Sequence, residues 1–303
     1  MKPIHSVIPA EFTEQVDVER RFGGIARLYG QPALERFRAA HVCVIGVGGV
    51  GSWIVEALAR SAVGALTLID LDNVSESNIN RQVQALSATI GQAKIDALAE
   101  RVAQINPYCK VTLVEEFISA DNLDRLIGAG DLARPAVDYV VDAIDSARDK
   151  AALIAYCRHH AIALITIGGA GGQTDPTRIA VRDLSKTEQE PLLKRVRKLL
   201  RTHYGFPRGE KNRFNVDAVF SMEPLQFPAA ASAPDADQEG NAGNTDSAGI
   251  TGINCAGFGS CVMVTASFGM VAAAHLLRKL ADAAPVDLDA ATVCDANPGL
   301  IPA

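Results

Sequence analysis

A glycine-rich turn that follows an apolar strand constrains the fold of this chain more than any other feature. The turn lies in Val42-Cys-Val-Ile-Gly-Val-Gly-Gly-Val-Gly51, where Gly46, Gly48 and Gly51 have the spacing GxGxxG. Glycines at these positions allow a tight turn and let backbone N–H groups approach a phosphate at the start of a helix. The pattern predicts a nucleotide site in a Rossmann-like fold, with Gly49 as a further backbone donor. By itself it does not distinguish a dinucleotide from a nucleoside triphosphate.

Polar residues beyond the second apolar run narrow the choice of nucleotide. Asp70 lies 24 residues after the first glycine, where a ribose-binding carboxylate is expected. Arg81 and Lys94 follow it. Two cations beyond the ribose position favour a triphosphate, because it carries more charge than a dinucleotide pyrophosphate and because arginine grips phosphate oxygens with a planar fork. The sequence therefore favours ATP over NAD.

Three more polar residues complete the predicted site. Asn78 and Gln82, on either side of Arg81, are suited to positioning the phosphates. Asp145 follows the predicted strand 139–142, and ligands of open α/β sheets collect at the carboxyl ends of the strands. A carboxylate there suits Mg²⁺, which prefers oxygen donors. We therefore predict that Asp145 binds magnesium.

Each of these residues also has a purely structural explanation. The alternatives are a turn cap for Asp70, an ion pair of Arg81 with Asp72 or Glu76, an exposed helix face for Lys94, and an N-cap at Asp145 for a helix that starts at Ala147. The nucleotide interpretation explains all of the residues at their spacings together, whereas the alternatives are independent of one another.

Apolar runs alternate with helical patterns along the first half of the chain. The predicted strands are 42–45, 66–69, 110–115, 139–142 and 163–166, and the predicted helices are 50–61, 92–104, 121–127 and 148–160, with another helix near 33–39. Alternation at this spacing is typical of βαβ units. It predicts an α/β fold with a Rossmann-like, mainly parallel sheet and flanking helices.

The pattern changes after residue 172. Strands at 179–181 and 216–220 are predicted around a basic helix at 191–203. Residues 228–249 contain almost no large apolar side chain, so we expect a mobile loop, either a lid over the site or a surface insertion. The predicted organisation is an N-terminal extension (1–20) and one domain (21–303), with a nucleotide-binding core at 21–172 and a C-terminal substrate lobe at 173–303.

Charge and cysteine content bear on partners and metals. The formal charge of the 303 residues is -6, so an RNA substrate needs a local basic patch. Residues 183–213 provide one, with Lys194, Arg197, Lys198 and Arg201 on the predicted helix; the alternative is a solvated helix face. The six cysteines form no CxxC pair, which argues against zinc. We expect reduced cysteines in a cytoplasmic protein.

The segment 255–277 contains no Asp, Glu, Lys or Arg. Its length is sufficient to cross a bilayer. It also contains Gly257, Gly259 and Gly269, and small residues favour close packing against other protein elements. We expect a buried helix, for which a subunit interface is one location, rather than a membrane-spanning segment; peripheral membrane association stays open.

Longer strings accompany the glycine turn. They are Arg21-Phe-Gly-Gly-Ile-Ala-Arg-Leu-Tyr-Gly30, Asp142-Ala-Ile-Asp-Ser146, Lys150-Ala-Ala-Leu-Ile-Ala-Tyr-Cys-Arg158, Gly168-Gly-Ala-Gly-Gly172 and Cys255-Ala-Gly-Phe-Gly259. With them the chain resembles the ubiquitin-activating-enzyme-like adenylyltransferases, the ThiF/MoeB superfamily. Within that superfamily it most resembles the tRNA threonylcarbamoyladenosine dehydratases, and the similarity covers most of the chain.

The resemblance implies an activity. Such an enzyme uses ATP and Mg²⁺ to adenylate the threonyl carboxylate of threonylcarbamoyladenosine in tRNA, and then closes the activated group into the cyclic form with release of AMP and pyrophosphate. Arg81, Lys94 and Asp145 match superfamily positions that bind the nucleotide and metal and support catalysis. Asp72 matches a second aspartate of the family. The implied substrate is tRNA and not DNA.

The resemblance also implies protein partners. Relatives complete the ATP site with an N-terminal arginine of a partner subunit, which implies a homodimer with Arg21 or Arg27 in that role. Cys255 matches a region linked to a cysteine desulfurase and sulfur-acceptor protein, and it is a candidate for a role in turnover. The alternative is a packing cysteine.

Two other functions compete with this one. The first is adenylation of the C-terminus of a ubiquitin-like sulfur carrier. The absence of CxxC pairs from the sequence argues against it. The second is a non-catalytic, nucleotide-binding adaptor of a sulfur-transfer system. The complete set of Arg81, Lys94 and Asp145 speaks against the adaptor.

Overall fold

A single sheet organises the chain. The computed structural model describes residues 5–7, 16–128, 137–209, 211–226 and 258–282. The strands in these ranges are β1 (His5–Val7), β2 (His41–Ile45), β3 (Ala65–Ile69), β4 (Lys110–Val114), β5 (Tyr139–Asp142), β6 (Leu164–Ile167), β7 (Ile179–Asp183) and β8 (Asp217–Ser221). They form an eight-stranded sheet with the order β1-β4-β3-β2-β5-β6-β8-β7.

The interior of the sheet is parallel, and its edges are antiparallel. β2 pairs in parallel with β3 on one side and with β5 on the other, whereas β1 and β7 run antiparallel to β4 and β8. The chain moves outward from β2 through β3 to β4, and then returns to the other side of β2 as β5. The order of strands therefore reverses between β2 and β5, and a ligand crevice is expected at the carboxyl ends of these two strands.

Helices cover both faces of the sheet. They are α1 (Val18–Tyr29), α2 (Gln31–Ala39), α3 (Gly51–Arg60), α4 (Lys94–Ile105), α5 (Leu123–Ile127), α6 (Ala147–His159), α7 (Pro191–His203) and α8 (Val262–Asp282). Alternate residues of β2 enter different cores. Val42 and Val44 pack with residues of α2, α3, α4 and α8, while Cys43 and Ile45 pack with residues of α5, α6 and α7. Burial on both faces explains why the strands read as continuous apolar runs.

The predicted α/β fold with its mainly parallel sheet is confirmed. The predicted strands and helices are all present, and most of their ends differ from the structure by one or two residues. α1 was not predicted. Asp17 caps it by accepting a hydrogen bond from Arg20 N at 2.9 Å, and Phe22 packs against Leu34. The adjacent Gly23 and Gly24 lower the helix propensity of this segment, so its pattern was not recognised.

The uncharged segment forms a buried helix from residue 262 onwards. Val264, Phe268, Ala272 and Leu276 of α8 belong to the core that α3 also lines. Residues 255–257 lie outside the described ranges. No helix in the described ranges has both the length and the apolar character needed to cross a membrane.

The described part of the second half is continuous with the first. β7 and β8 extend the same sheet beyond β6, and α8 packs against α3 and α2. The functional division at about residue 172 stays a prediction. The predicted mobile loop, 228–249, lies outside the described residues, and β1 lies in the segment predicted as an N-terminal extension.

The contact between α8 and α3 leaves no room for a side chain at Gly269. A Cβ atom there would lie 2.8 Å from the Cβ of Trp53 and 2.9 Å from the carbonyl oxygen of Val50. We therefore predict that Gly269→Leu lowers the free energy of unfolding by about 1–3 kcal/mol, the usual cost of overpacking. Urea denaturation measures the change. Ala274→Leu, at an exposed position of the same helix, is the control, and equal stability of both variants would contradict the close contact.

Candidate active site

Three backbone segments meet at the carboxyl end of β2. Gly46 has φ of +81°, and a Cβ atom on it would lie 2.9 Å from the carbonyl oxygen of Ala143. A Cβ atom on Gly51 would lie 1.9 Å from the carbonyl oxygen of Gly46. Glycine is therefore required at both positions. The Cβ position of Gly48 has no described atom within 4 Å, so its backbone is open to a ligand.

The glycine turn borders a cleft of about 790 Å³ at the crevice between β2 and β5. Predicted site residues among those that line it are Gly46, Gly48, Gly49, Asp70, Asp72, Asn78, Arg81, Gln82, Lys94 and Asp145. The structure thus brings together residues from five separate segments of the sequence. Gly51 lies behind the turn, where it allows the close approach of α3.

Asp70 holds the glycine turn against the end of β3. Its Oδ2 accepts a hydrogen bond from Val47 N at 2.8 Å, and its Oδ1 accepts one from Asp72 N at 2.9 Å. Burial raises the pKa of Asp70, and the nearby Lys94 acts in the opposite direction. The turn-cap alternative therefore describes a real contact. Asp70 can still accept a hydrogen bond from a ligand in the cleft, because each carboxylate oxygen keeps a second lone pair.

Lys94 is a buried cation with one acidic partner. It is the first residue of α4, and its side chain is 8% exposed. Its Nζ donates to Asp72 Oδ2 at 2.7 Å, while the Asp72 side chain is 53% exposed. The alternative of an exposed helix face for Lys94 is therefore wrong. An anion in the cleft can take over part of this contact, since Asp72 is free to turn into solvent.

Arg81 bends over the glycine turn. Its side-chain carbons approach within 3.2 Å of the Cβ position of Gly49. Its Nη1 donates to the carbonyl oxygen of Ser77 at 2.6 Å and to Asn80 Oδ1 at 2.9 Å. The guanidinium thus contacts neutral acceptors rather than Asp72 or Glu76, and the ion-pair alternative is wrong.

Asn78 and Gln82 are buried and shape the cleft. Asn78 Oδ1 accepts a hydrogen bond from Ser75 N at 3.1 Å within a short 3-10 turn. Gln84 Nε2 donates to Gln82 Oε1 at 2.9 Å and to the carbonyl oxygen of Val47 at 3.2 Å. These contacts connect the segment that carries Arg81 to the glycine turn.

Asp145 lies in the loop between β5 and α6 and is exposed to the cleft. The N-cap of α6 is Ser146, whose hydroxyl accepts a hydrogen bond from Asp149 N at 3.4 Å. The N-cap alternative for Asp145 is therefore wrong, and its carboxylate remains available. Asp149, in the first turn of α6, also lines the cleft.

Several lining residues were not recognised in the sequence. They follow the ends of β4 and β6 or lie close to the start of α8: Glu116, Phe117, Ile118, Gly168, Gly169, Ala170, Ser260 and Thr265. The signal for the first two groups was the rule that loops after parallel strands carry ligands. Phe117 is notable because its large apolar side chain is 61% exposed at the mouth of the cleft beyond Asp70.

Two predicted residues lie elsewhere. Arg21 donates to the carbonyl oxygens of Gln104 and Ile105 at 3.1 and 2.9 Å, at the end of α4 and away from the cleft of its own chain. Its role across a dimer stays a prediction. Cys255 lies outside the described residues. Among the described cysteines, Cys109 and Cys157 are buried, and burial raises the pKa of each thiol to about 12.

The doubly wound sheet and the cleft at its switch point are those of a nucleotide-binding α/β protein. The chain belongs to the ThiF family, whose profile matches residues 23–296. It is 51% identical over 263 residues to a tRNA threonylcarbamoyladenosine dehydratase of Haemophilus influenzae, with 86% of this chain and 94% of that protein covered.

A solved structure gives the same picture. The fold is similar to a crystal structure of the Escherichia coli tRNA N6-threonylcarbamoyladenosine dehydratase in complex with ATP, with a TM-score of 0.74 at 47% identity, covering 88% of this chain and 96% of that one. Similarity to a molybdopterin-synthase adenylyltransferase of Salmonella typhimurium is more limited, at 34% identity over 131 residues that cover 43% of this chain and 53% of that protein.

The geometry of the cleft predicts selectivity for ATP. We expect Lys94→Met to weaken ATP binding by roughly 10- to 100-fold, because a charge-assisted hydrogen bond contributes about 1.5–3 kcal/mol. Wild-type protein should bind ATP more tightly than NAD. Isothermal titration measures both ligands, with Arg38→Met, an exposed position on α2, as the control. Tight binding of NAD without magnesium dependence would contradict the triphosphate assignment.

Proposed function

We propose that this protein uses ATP to activate the threonyl carboxylate of threonylcarbamoyladenosine in tRNA and then closes it into the cyclic form. The identity of 51% to a dehydratase of that name, over nearly all of that protein, carries the proposal. The cleft supports it, since cations, a ribose-type carboxylate and the glycine turn line one space. Adenylation of a sulfur carrier is disfavoured, because the similarity to a molybdopterin-synthase adenylyltransferase covers only 43% of the chain.

The first step is an exchange at the α-phosphorus of ATP. A carboxylate oxygen of the substrate forms a bond to phosphorus, and the bond to the pyrophosphate oxygen breaks. We assign binding of the ribose to Asp70. We assign binding of the phosphates to Lys94, Arg81 and the backbone of Gly48 and Gly49. Such groups stabilise the negative charge of the transition state without moving.

The second step releases AMP. The neighbouring urea-type group attacks the activated acyl carbon, the bond to AMP breaks, and the attacking group loses a proton. The oxygen that leaves the substrate carboxylate remains on AMP. The RNA therefore loses the elements of one water molecule, which makes the net reaction a dehydration driven by ATP.

Asp145 is our proposed ligand for Mg²⁺. When bound, this ion would neutralise phosphate charge. No cluster of three or more His, Cys, Asp or Glu residues in the described ranges is arranged to hold a metal. A single exposed carboxylate fits magnesium nonetheless, because this ion takes most of its ligands from phosphates and water in such sites. We also propose that the protein binds no zinc, because its six cysteines form no CxxC pair.

We also propose a homodimer in which Arg21 reaches the partner's cleft. The family resemblance suggests it, and α8 offers an apolar surface on which Met263 and Met270 are 59% and 42% exposed. A cysteine desulfurase and sulfur-acceptor protein remain proposed partners, with Cys255 as the proposed contact. Because tRNA and ATP are both cytoplasmic, we propose that location, and peripheral membrane association remains the alternative.

Removal of either charged group should abolish most of the turnover. We predict that Lys94→Ala and Asp145→Ala each lower ATP-dependent cyclisation by on the order of 100-fold, the scale of one lost transition-state contact. Mass spectrometry of tRNA nucleosides measures the product, both with purified protein and in a strain that lacks it. Arg38→Ala, far from the cleft, is the control.

Two results would overturn the assignments separately. If the strain without this protein retains the cyclic nucleoside, the proposed function is wrong. If both variants turn over normally at saturating ATP and magnesium while wild-type protein is active, the site residues are wrong.

The basic helix α7 is the proposed RNA contact. Lys194 and Lys198 are exposed on it, whereas Arg197 is half-buried and donates to the hydroxyl of Thr187. Arg201 lines a groove with Arg182, Lys186 and Arg208. Glu188 lines the same groove and pairs with Arg182 at 3.2 Å, which leaves three cations that suit a chain of phosphates.

Charge reversal on this helix should weaken RNA binding alone. We predict that Lys194→Glu, Lys198→Glu and Arg201→Glu together raise the apparent KM for tRNA and leave ATP affinity unchanged. The slope of affinity against salt should become shallower by roughly 1 for each lost phosphate contact. The control reverses Arg38 and Lys110, which are exposed elsewhere. An unchanged affinity and salt slope would make α7 a plain solvated face.

A further inference from the structure

A fully buried group of polar side chains lies beneath the loop that carries Asp145. Asp142, Lys150 and Thr166 are each 0% exposed, and we call them the buried cluster. Lys150 Nζ donates to Asp142 Oδ1 at 2.7 Å, to the Asp142 carbonyl oxygen at 3.1 Å and to Thr166 Oγ1 at 3.3 Å. The Thr166 hydroxyl donates to Asp142 Oδ2 at 2.7 Å. Every N–H of the ammonium therefore has an acceptor.

A contribution to stability does not explain why the chain contains the buried cluster. Removing two charges from water is costly, and apolar residues of similar volume usually replace a buried ion pair without loss. Among the ion pairs of the described residues, Lys150 with Asp142 is the one whose side chains are both fully excluded from solvent. Its cost calls for a role other than holding the fold together.

The position of the cluster indicates that role. Asp142 is the last residue of β5, Thr166 lies in β6, and Lys150 lies in the second turn of α6. Residues 143–146, which we call the Asp145 loop, connect β5 to α6 and line the cleft. Ile144 N in this loop donates to Asp142 Oδ1 at 3.3 Å. The cluster thus connects both ends of the loop and contacts its backbone.

The other side of the loop is in contact with the glycine turn. The carbonyl oxygen of Ala143 lies 2.9 Å from the Cβ position of Gly46. The Asp145 loop is therefore held between the buried cluster and the backbone that is proposed to bind the phosphates. A change on the cluster side would shift Asp145 relative to Gly48 and Lys94.

We propose that the buried cluster is a positioning device that holds Asp145 at the distance from the phosphates that the reaction needs. This inference rests on the proposed function, because it assumes that Asp145 acts at the nucleotide. Asp142, Lys150 and Thr166 touch neither ATP nor RNA and act through the loop. Residues that orient the groups contacting a metal or substrate commonly influence activity by on the order of 10- to 100-fold.

The test removes both charges together. Single substitutions would leave an unpaired buried charge, so they are expected to lower the stability of the fold and are uninformative about position. In the double variant Asp142→Asn, Lys150→Met, the amide can still accept from Ile144 N and donate to Thr166 Oγ1. The control is Glu56→Gln, Arg101→Met, which removes an ion pair with Nε to Oε2 at 2.9 Å that does not line the cleft; its carboxylate side chain is buried and its Arg101 side chain is 34% exposed.

We expect the double variant to unfold within a few degrees of wild type and to bind ATP with wild-type affinity. Its kcat should fall by on the order of 10- to 100-fold, and its half-saturating magnesium concentration should rise. The control variant should keep its kcat. Hydrogen exchange of the amides at 143–146 should become faster in the double variant only, because the loop loses its anchor.

Two outcomes would overturn the proposal, and a third concerns the proposed function. Wild-type kcat and magnesium dependence in a folded double variant overturn it. A loss of kcat without faster exchange in the loop also overturns it, since the loop would then be held without the cluster. If wild-type protein itself forms no cyclic nucleoside, the proposed function has failed, and the exchange measurement alone decides whether the cluster holds the loop.

A second variant covers the case in which the double variant does not fold. Thr166→Val keeps both charges and the volume of the side chain but removes the hydroxyl that accepts from Lys150 and donates to Asp142. We expect a smaller loss of kcat with unchanged ATP affinity. Wild-type kcat and loop exchange in this variant would overturn the proposal.

Discussion

The close meeting of three backbone segments at the carboxyl ends of β2 and β5 is the constraint on which the rest of the structure depends. Gly51 lies so near the carbonyl oxygen of Gly46 that a Cβ atom would be 1.9 Å away, and Gly46 is in turn packed against the loop after β5. Asp70 closes the arrangement from β3 by accepting a hydrogen bond from Val47 N. Gly48 and Gly49 of this turn line the crevice, and theirs is the backbone that we propose binds the phosphates.

Charges in the cleft are arranged so that they can change partners. Lys94 is paired with the exposed Asp72, and Arg81 contacts only neutral oxygens among the described residues. Neither cation is locked into a buried ion pair, in contrast to Lys150, whose contacts are saturated beneath the same cleft. The two kinds of cation suggest two tasks. Lys94 and Arg81 are available to bind a ligand and release it, whereas Lys150 stabilises the backbone around the binding site.

Glu190 connects the cleft to the basic helix. It is the N-cap of α7, where it accepts hydrogen bonds from Leu192 N at 3.1 Å and from Leu193 N, and it also accepts one from Gly169 N at 3.0 Å. Burial raises the pKa of Glu190, and these backbone donors oppose the change. A single side chain therefore fixes the start of α7 against the loop that lines the cleft after β6, which sets the proposed RNA surface relative to the nucleotide.

Local pattern was enough to predict the described strands other than β1, most helices, and the glycine or carboxylate residues that follow β2, β3 and β5. Each of those signals depends on spacing along the chain: period, apolar runs, and glycine or carboxylate after a strand. α1 escaped because its Gly23 and Gly24 weaken the local helix preference, whereas packing of Phe22 against Leu34 and the Asp17 N-cap stabilise it in the folded chain. Ser260 and Thr265 escaped because they do not follow a parallel strand and no spacing signal marks them.

Tertiary structure decided which local explanation held for each polar residue. Lys94 is buried rather than exposed, Ser146 rather than Asp145 caps α6, and Asp70 both caps a turn and faces the cleft. Sequence alone left these alternatives open. Neighbouring residues in the chain can make either contact, and the sequence does not show which side chains become buried. Burial and the meeting of distant segments arise only when the sheet is assembled, and the buried cluster of Asp142, Lys150 and Thr166 was invisible before that for the same reason.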